Sequence, residues 1–190
     1  IVEVNHRQPL GLDGMHDIYY GTALPPARRP IPLLQPGDRI GEPYLRVDPE
    51  KIVAVVETDA PDRLGSFAPP DATSQAIAAN LVEFFRHEIR AGRLSDRLLP
   101  LQSGVGNIAN AVLAGLQDGG FRGLTAFTEV IQDGMLDLIE AGVITMASAT
   151  ALSLSPEAVA RFAANIDLFR ERIVLRPQEM SNHAELVRRL

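Results

Sequence analysis

The sequence predicts an α/β fold: a mostly parallel sheet with helices on both faces, preceded by an extended proline-rich connector. Three observations predict it. From residue 51 onward, short apolar runs rich in β-branched residues alternate with segments of helical period, the pattern of a covered parallel sheet. Gly92, Gly119-Gly120 and Gly142 close three of the helical segments. Residues 1–50 carry 8 of the 14 prolines and no sustained helical period, so they read as chain lying across a surface. The 190 residues are 46% hydrophobic, enough to bury a core.

Taken in order, Ile1–Asn5 is strand-like, and the chain opens on Ile1 rather than Met. The expectation is a piece of something longer, in which residues 1–50 are the end of an upstream domain plus linker, and residues 51–190 the α/β domain. Ile52-Val53-Ala54-Val55-Val56 suits a strand buried on both faces. Ala72 to Ala91 is helical, with Ile77, Leu81, Phe84, Phe85 and Ile89 at spacings of three and four. Leu98 to Gln102 is a second strand and Asn107 to Leu116 a helix. Leu124 to Thr128 is a third strand, followed by a short helix from Met135 to Glu140. Val143 to Met146 is a fourth strand. Ser155-Pro156 starts a helix running to Asn165. Arg172 to Leu175 is a fifth strand, and Asn182 to Leu190 a final helix.

Charge and composition exclude several classes. With 18 Lys+Arg against 24 Asp+Glu the net charge is −6, which offers no positive field for a nucleic-acid backbone. Zero Cys rules out a disulfide scaffold, thiolate zinc, iron–sulfur and a Cys nucleophile. It is compatible with the cytosol, and a cytoplasmic protein is expected. Ala141 to Pro156 is too short and too hydroxylated to span a membrane, and no signal peptide is visible. Asp13, His16 and Asp17 match no zinc spacing, so no metal is expected.

Gly104-Val105-Gly106-Asn107-Ile108-Ala109 fits G-x-G-x-x-A, with Glu129 at the end of the next strand. On spacing alone this is a dinucleotide fingerprint, an NAD site with Glu129 on a ribose hydroxyl. Pro100 and the polar Gln102-Ser103 spoil the apolar strand that fingerprint needs. A turn in which glycine serves geometry only is an equal alternative.

Longer strings point elsewhere. Gln8-Pro9-Leu10, Gly14 to Tyr19, Asp38 to Gly41, Leu101 to Val112, Thr128-Glu129-Val130-Ile131-Gln132-Asp133-Gly134 to Leu138, and Arg176-Pro177-Gln178 with Ser181-Asn182-His183 are spread in order over the chain. Together they resemble the acetyl-CoA hydrolase/transferase family, in the succinyl-CoA:acetate branch of the class I CoA-transferases, which are two-domain enzymes. The resemblance implies that Glu129 is a covalent nucleophile. Its carboxylate attacks an acyl-CoA to give a mixed anhydride and thiolate. The thiolate then forms a glutamyl-CoA thioester, which a second carboxylic acid resolves. It further implies that Gly104, Val105, Gly106, Asn107 and Ile108 form the loop that meets coenzyme A and supplies oxyanion donors. By the same resemblance Asn182 is an active-site amide, and Arg63 lies near the CoA phosphates. Acyl-CoA and a small acid such as acetate or succinate are the implied ligands, and a homodimer the implied assembly. Family members that use water instead are acetyl-CoA hydrolases. The family has a whole domain before Ile1 and a glycine-rich loop after Leu190, so little turnover is expected from these residues alone.

Ordinary roles compete with these. Asn182 also suits an N-cap of the last helix and Asp133 a cap for the helix after Glu129. Arg63 also reads as a solvated arginine, and His87 as a partly buried residue on an apolar helix.

Overall fold

In the computed structural model, residues 1–6, 11–60 and 69–190 are described. The strands are β1 (Val2–Asn5), β2 (Val55–Thr58), β3 (Leu124–Phe127), β4 (Val130–Ile131), β5 (Ile144–Ala149), β6 (Ala151–Leu152) and β7 (Ile173–Leu175). The helices are α1 (Ala72–Arg90), α2 (Asn107–Asp118), α3 (Asp133–Glu140), α4 (Pro156–Ala164), α5 (Ile166–Arg172), α6 (Gln178–Ser181) and α7 (Ala184–Arg189). Among the described residues every pairing between these strands is parallel, as the alternating pattern predicts.

The central sheet runs β3-β5-β7. Single parallel bridges widen it on both sides, Leu101 to Ala126 beyond β3 and His16 to Leu175 beyond β7. Leu124, Ala126, Ile144, Ala147, Ala149 and Ile173 are fully buried, and α3 and α5 pack against these strands. Between α4 and α5 the chain breaks at Asn165 (φ −116°, ψ 29°), which lets Phe162 and Phe169 stack with centroids 4.9 Å apart. The sequence pattern assigns residues 166–171 no element, because one seven-residue helix carries too little periodicity to register.

The connector lies across this layer, held by apolar plugs and side-chain hydrogen bonds. Met15, Ile31 and Leu33 are buried, the last two in a cluster with Phe127, Met180 and Leu186. Asp38 Oδ2 accepts from the N–H groups of Leu34 (2.8 Å) and Gln35 (2.9 Å), closing a local turn.

Four expectations are corrected. The β-branched run before residue 57 is not buried: among the described residues β2 pairs only with β1, and Val53 and Val55 are 81% and 60% exposed. Neither strand joins the central sheet, so no second layer covers them among the described residues. In α1 the inner face is Ser74, Ala78 and Val82, with Phe85 and Ile89 against the core, while Ile77 and Phe84 face outward. The close approach of α2 dictates this, since a Cβ on Gly115 would stand 3.2 Å from Val82 Cγ2, and only a small-residue face fits there. His87 on the same helix is exposed rather than partly buried. Leu98 to Gln102 forms no strand beyond the Leu101 bridge, because Leu98 sits at φ 56° and Pro100 has no N–H to give.

Candidate active site

Glu129 stands where β3 ends and β4 begins, and its main chain is clamped. Its carbonyl accepts from Thr150 N (2.9 Å) and Ala151 N (3.1 Å), while the preceding Thr128 N–H donates to Ser148 O (2.9 Å). The fully buried Thr128 hydroxyl then ties this corner to the glycine loop. Its Oγ1 donates to Ser103 O (3.1 Å) and lies 3.3 Å from the Ser103 N–H. That hydroxyl brings the loop alongside Glu129.

The result is a cleft of about 410 Å³ lined by Gln102, Ser103, Gly104, Val105, Glu129 and Val130. Of the residues singled out in the sequence, it unites Gly104, Val105 and Glu129. Gly106 is the N-cap of α2 at φ 127°, ψ −179°, a conformation essentially confined to glycine. No side chain caps this helix start, and among the described residues the Val105 and Gly106 N–H groups carry no hydrogen bond. Asn107 and Ile108 are the first helical residues and exposed. Uncommitted donors at a helix start favour an anion or a developing oxyanion.

The Glu129 carboxylate is half-buried, and its Oε1 accepts from Gln178 Nε2 at 2.8 Å. The other oxygen carries no hydrogen bond among the described residues. Gln178 was not singled out in the sequence, although it lies inside the Arg176-Pro177-Gln178 string. Asn182 lies one turn further on, its N–H donating to Gln178 O (2.9 Å). It ends α6 instead of capping the last helix, and His183 caps α7 with Nδ1 accepting from Glu185 N (3.3 Å). Asp133 likewise does not cap α3. Gln132 holds the N-cap position without a side-chain bond, and Asp133 Oδ1 accepts from Ser155 N (2.9 Å), joining α3 to α4. Arg63 lies outside the described residues.

Of the Asp13, His16 and Asp17 group, Asp17 is committed elsewhere. It is buried against Arg176 and accepts from Ile40 N (2.9 Å) and Gly41 N (2.6 Å). Among the described residues no group of three or more His, Asp or Glu could hold a metal, and no helix is long and apolar enough to cross a membrane.

No family model matches the sequence. Across all 190 residues, however, the chain is 49% identical to a succinyl-CoA:acetate CoA-transferase of Clostridium kluyveri, covering 35% of that protein. It is also 47% identical to an acetyl-CoA hydrolase of Schizosaccharomyces pombe, again over its full length and covering 36% of the relative. The chain belongs to the acetyl-CoA hydrolase/CoA-transferase family. It spans about a third of the length of these family relatives. Among solved structures, RipA from Yersinia pestis is 27% identical with a TM-score of 0.52, over 70% of this chain and 29% of that one. A 4-hydroxybutyrate CoA-transferase from Porphyromonas gingivalis, at 22% identity and TM-score 0.52 over 73% of this chain and 33% of that one, shares the fold. In this chain Gly104 and Val105 of the glycine loop and Glu129 and Val130 of the next strand's end line one cleft, whereas a dinucleotide fingerprint would need the strand that Pro100 interrupts.

Proposed function

We propose that the protein containing this chain cleaves acyl-CoA thioesters with the Glu129 carboxylate as nucleophile. The observation that carries this reading is the cleft in which Glu129 faces Gly104 and Val105, one carboxylate oxygen held and the other free. Attack by Glu129 on the thioester carbonyl forms a C–O bond and expels CoA thiolate, leaving a mixed anhydride. The thiolate then attacks the Glu129 carbonyl, the acyl group leaves as its carboxylate, and a glutamyl-CoA thioester remains. A carboxylate is a weak nucleophile in water, so the site must orient it and stabilise the oxyanion. The free N–H groups of Val105 and Gly106 are suited to that oxyanion. Asn107 and Ile108 open the CoA-facing helix, Asn182 contributes an amide from the α6 side, and Arg63 meets the CoA phosphates.

Two acceptors finish the cycle, water in a hydrolase or a small carboxylate such as acetate or succinate in a transferase. The acetyl-CoA hydrolases among the relatives, at 46–48% identity in several fungi, favour water as the acceptor and acetyl-CoA as the substrate. The transferase reading has its own support in the 49% identity to the Clostridium kluyveri protein. In either case residues 51–190 act as the nucleophile-bearing domain of a homodimeric enzyme.

The test uses the full-length protein with acetyl-CoA and no acceptor, quenched and read by intact mass and peptide map. A CoA adduct on the Glu129 peptide that acetate or succinate removes establishes transfer. Steady release of CoA that Glu129→Asp abolishes supports hydrolysis. Neither adduct nor CoA release would end this reading, and NAD binding retained by Glu129→Asp would replace it with the dinucleotide site.

A further inference from the structure

We propose that Gln178 is the positioning residue of the Glu129 carboxylate, fixing Oε1 so that Oε2 is the oxygen presented to the thioester; this rests on Glu129 being the nucleophile. The 2.8 Å bond from Gln178 Nε2 to Oε1 is the starting observation. A neutral donor on a carboxylate makes a charge-assisted bond, stronger than one between neutral groups.

Both ends of that bond leave from fixed backbone. On the glutamate side, Thr150 N and Ala151 N hold the Glu129 carbonyl. On the other side, Gln178 follows Pro177 and the buried Arg176, whose N–H donates to Ala149 O (2.7 Å) and whose Nε donates to Ser148 Oγ (2.9 Å). Three residues after Gln178, Ser181 is buried with its hydroxyl 2.9 Å from Thr150 Oγ1. Thr150 therefore braces both partners, its N–H on Glu129 and its hydroxyl on the helix that carries Gln178. The Gln178 side chain itself is solvent-exposed, and among the described residues this bond is its one side-chain hydrogen bond.

The consequence is chemical. In water the two carboxylate oxygens interchange by rotation. With Oε1 held, the free oxygen keeps one orientation towards the cleft, which lowers the entropic cost of attack. The same donor serves the return step. When thiolate attacks Cδ of the anhydride, a C–S bond forms, the Cδ–Oε2 bond breaks, and the carboxylate leaves with Oε2. Negative charge then builds transiently on Oε1, where Gln178 already donates.

The test compares full-length wild type with Gln178→Met and Gln178→Glu. The readouts are the rate of CoA-adduct formation on the Glu129 peptide, and steady-state kcat and KM for acetyl-CoA. Gln178→Met should slow adduct formation and kcat roughly 10- to 100-fold while KM stays within about 3-fold. Gln178→Glu should be slower still, because it sets a like charge against Glu129. Wild-type rates in Gln178→Met, or a Glu variant as fast as the Met variant, would overturn the assignment while leaving the nucleophile intact. A variant that loses its folded circular-dichroism spectrum counts against it too, since a positioning role for an exposed side chain spares the fold. Absence of any adduct or CoA release in wild type would instead remove the Glu129 reading and this inference together.

Discussion

Arg176 forms a buried ion pair with Asp17, and this pair fastens the connector to the end of the central sheet. Both side chains are essentially without solvent contact. Asp17 also accepts from Ile40 N and Gly41 N, and the Arg176 guanidinium reaches the main-chain oxygens of Pro36 (3.1 Å) and Asp38. Burial lowers the Arg176 guanidinium to about 10, which still leaves it cationic at neutral pH. One residue after Arg176 and Pro177 comes Gln178, so the pair also sets where the amide that meets Glu129 begins.

Removing one partner should be costly. Arg176→Met leaves the Asp17 carboxylate buried without a counter-charge, and the expected loss is about 3–5 kcal/mol. Asp17→Leu combined with Arg176→Met should lose less than the sum of the two single changes, because no orphan charge remains. Urea unfolding of the four proteins in a double-mutant cycle measures the coupling. Additive losses would mean the pair contributes no more than its packing.

Thr128 is the hinge between loop and nucleophile. Thr128→Val keeps the shape of the buried side chain and deletes the hydroxyl that serves Ser103. The expected stability loss is about 1–3 kcal/mol, since the Ser103 groups lose their partner. Thioester cleavage should fall more than stability alone explains, because the loop is released from Glu129. A variant with normal turnover at a temperature where it is fully folded would show that loop placement does not depend on this bond.

How much of this was legible in the sequence follows from the range of each signal. Local signals read well: Ser155-Pro156 starts α4 as expected, with Ser155 Oγ accepting from Ala158 N (3.2 Å), and Gly92 follows α1 at φ 70°. Non-local ones did not. Whether Ile52–Val56 is covered depends on which strand it pairs with, and the face of α1 depends on the bare Cα of Gly115 in α2. Gly104, Val105 and Glu129, singled out in the sequence on separate strings, line one cleft in the structure. Gln178 escaped because a hydrogen bond between residues 49 apart leaves no periodic trace. Its only signal was membership of a string that resembles the family.

Gly106 carries a conformational demand that can be tested alone. A Cβ there would meet nothing within 4 Å, so any effect of Gly106→Ala comes from the backbone at φ 127° rather than from a clash. Strain of about 1–3 kcal/mol is expected if the loop keeps its path. If the loop instead relaxes, the Val105 and Gly106 N–H groups change position, and cleavage falls with little change in melting temperature. Either loss fits the geometry. Unchanged stability together with unchanged activity would show that the loop does not need this conformation.

The start of α1 offers a pH-dependent element with a definite sign. Asp71 Oδ1 accepts from Ser74 N at 2.7 Å, and that backbone hydrogen bond, with a further one from the Ser74 side chain, lowers the carboxyl below its ordinary 3.8. A carboxylate held lower in the folded state than in the unfolded one contributes stability that is complete above the unfolded value. That contribution is lost as pH falls through the folded value. The cap should therefore be fully effective at neutral pH and fade only below about pH 4, as the unfolded carboxyl begins to bind protons first. Asp71→Asn keeps a cap oxygen for Ser74 but cannot titrate, so the variant should show a flatter acid limb when urea midpoints are compared from pH 6 down to about pH 3. Parallel acid limbs in the two proteins would mean that other carboxylates, such as Glu88 held down by Arg93, govern the loss of α1 in acid.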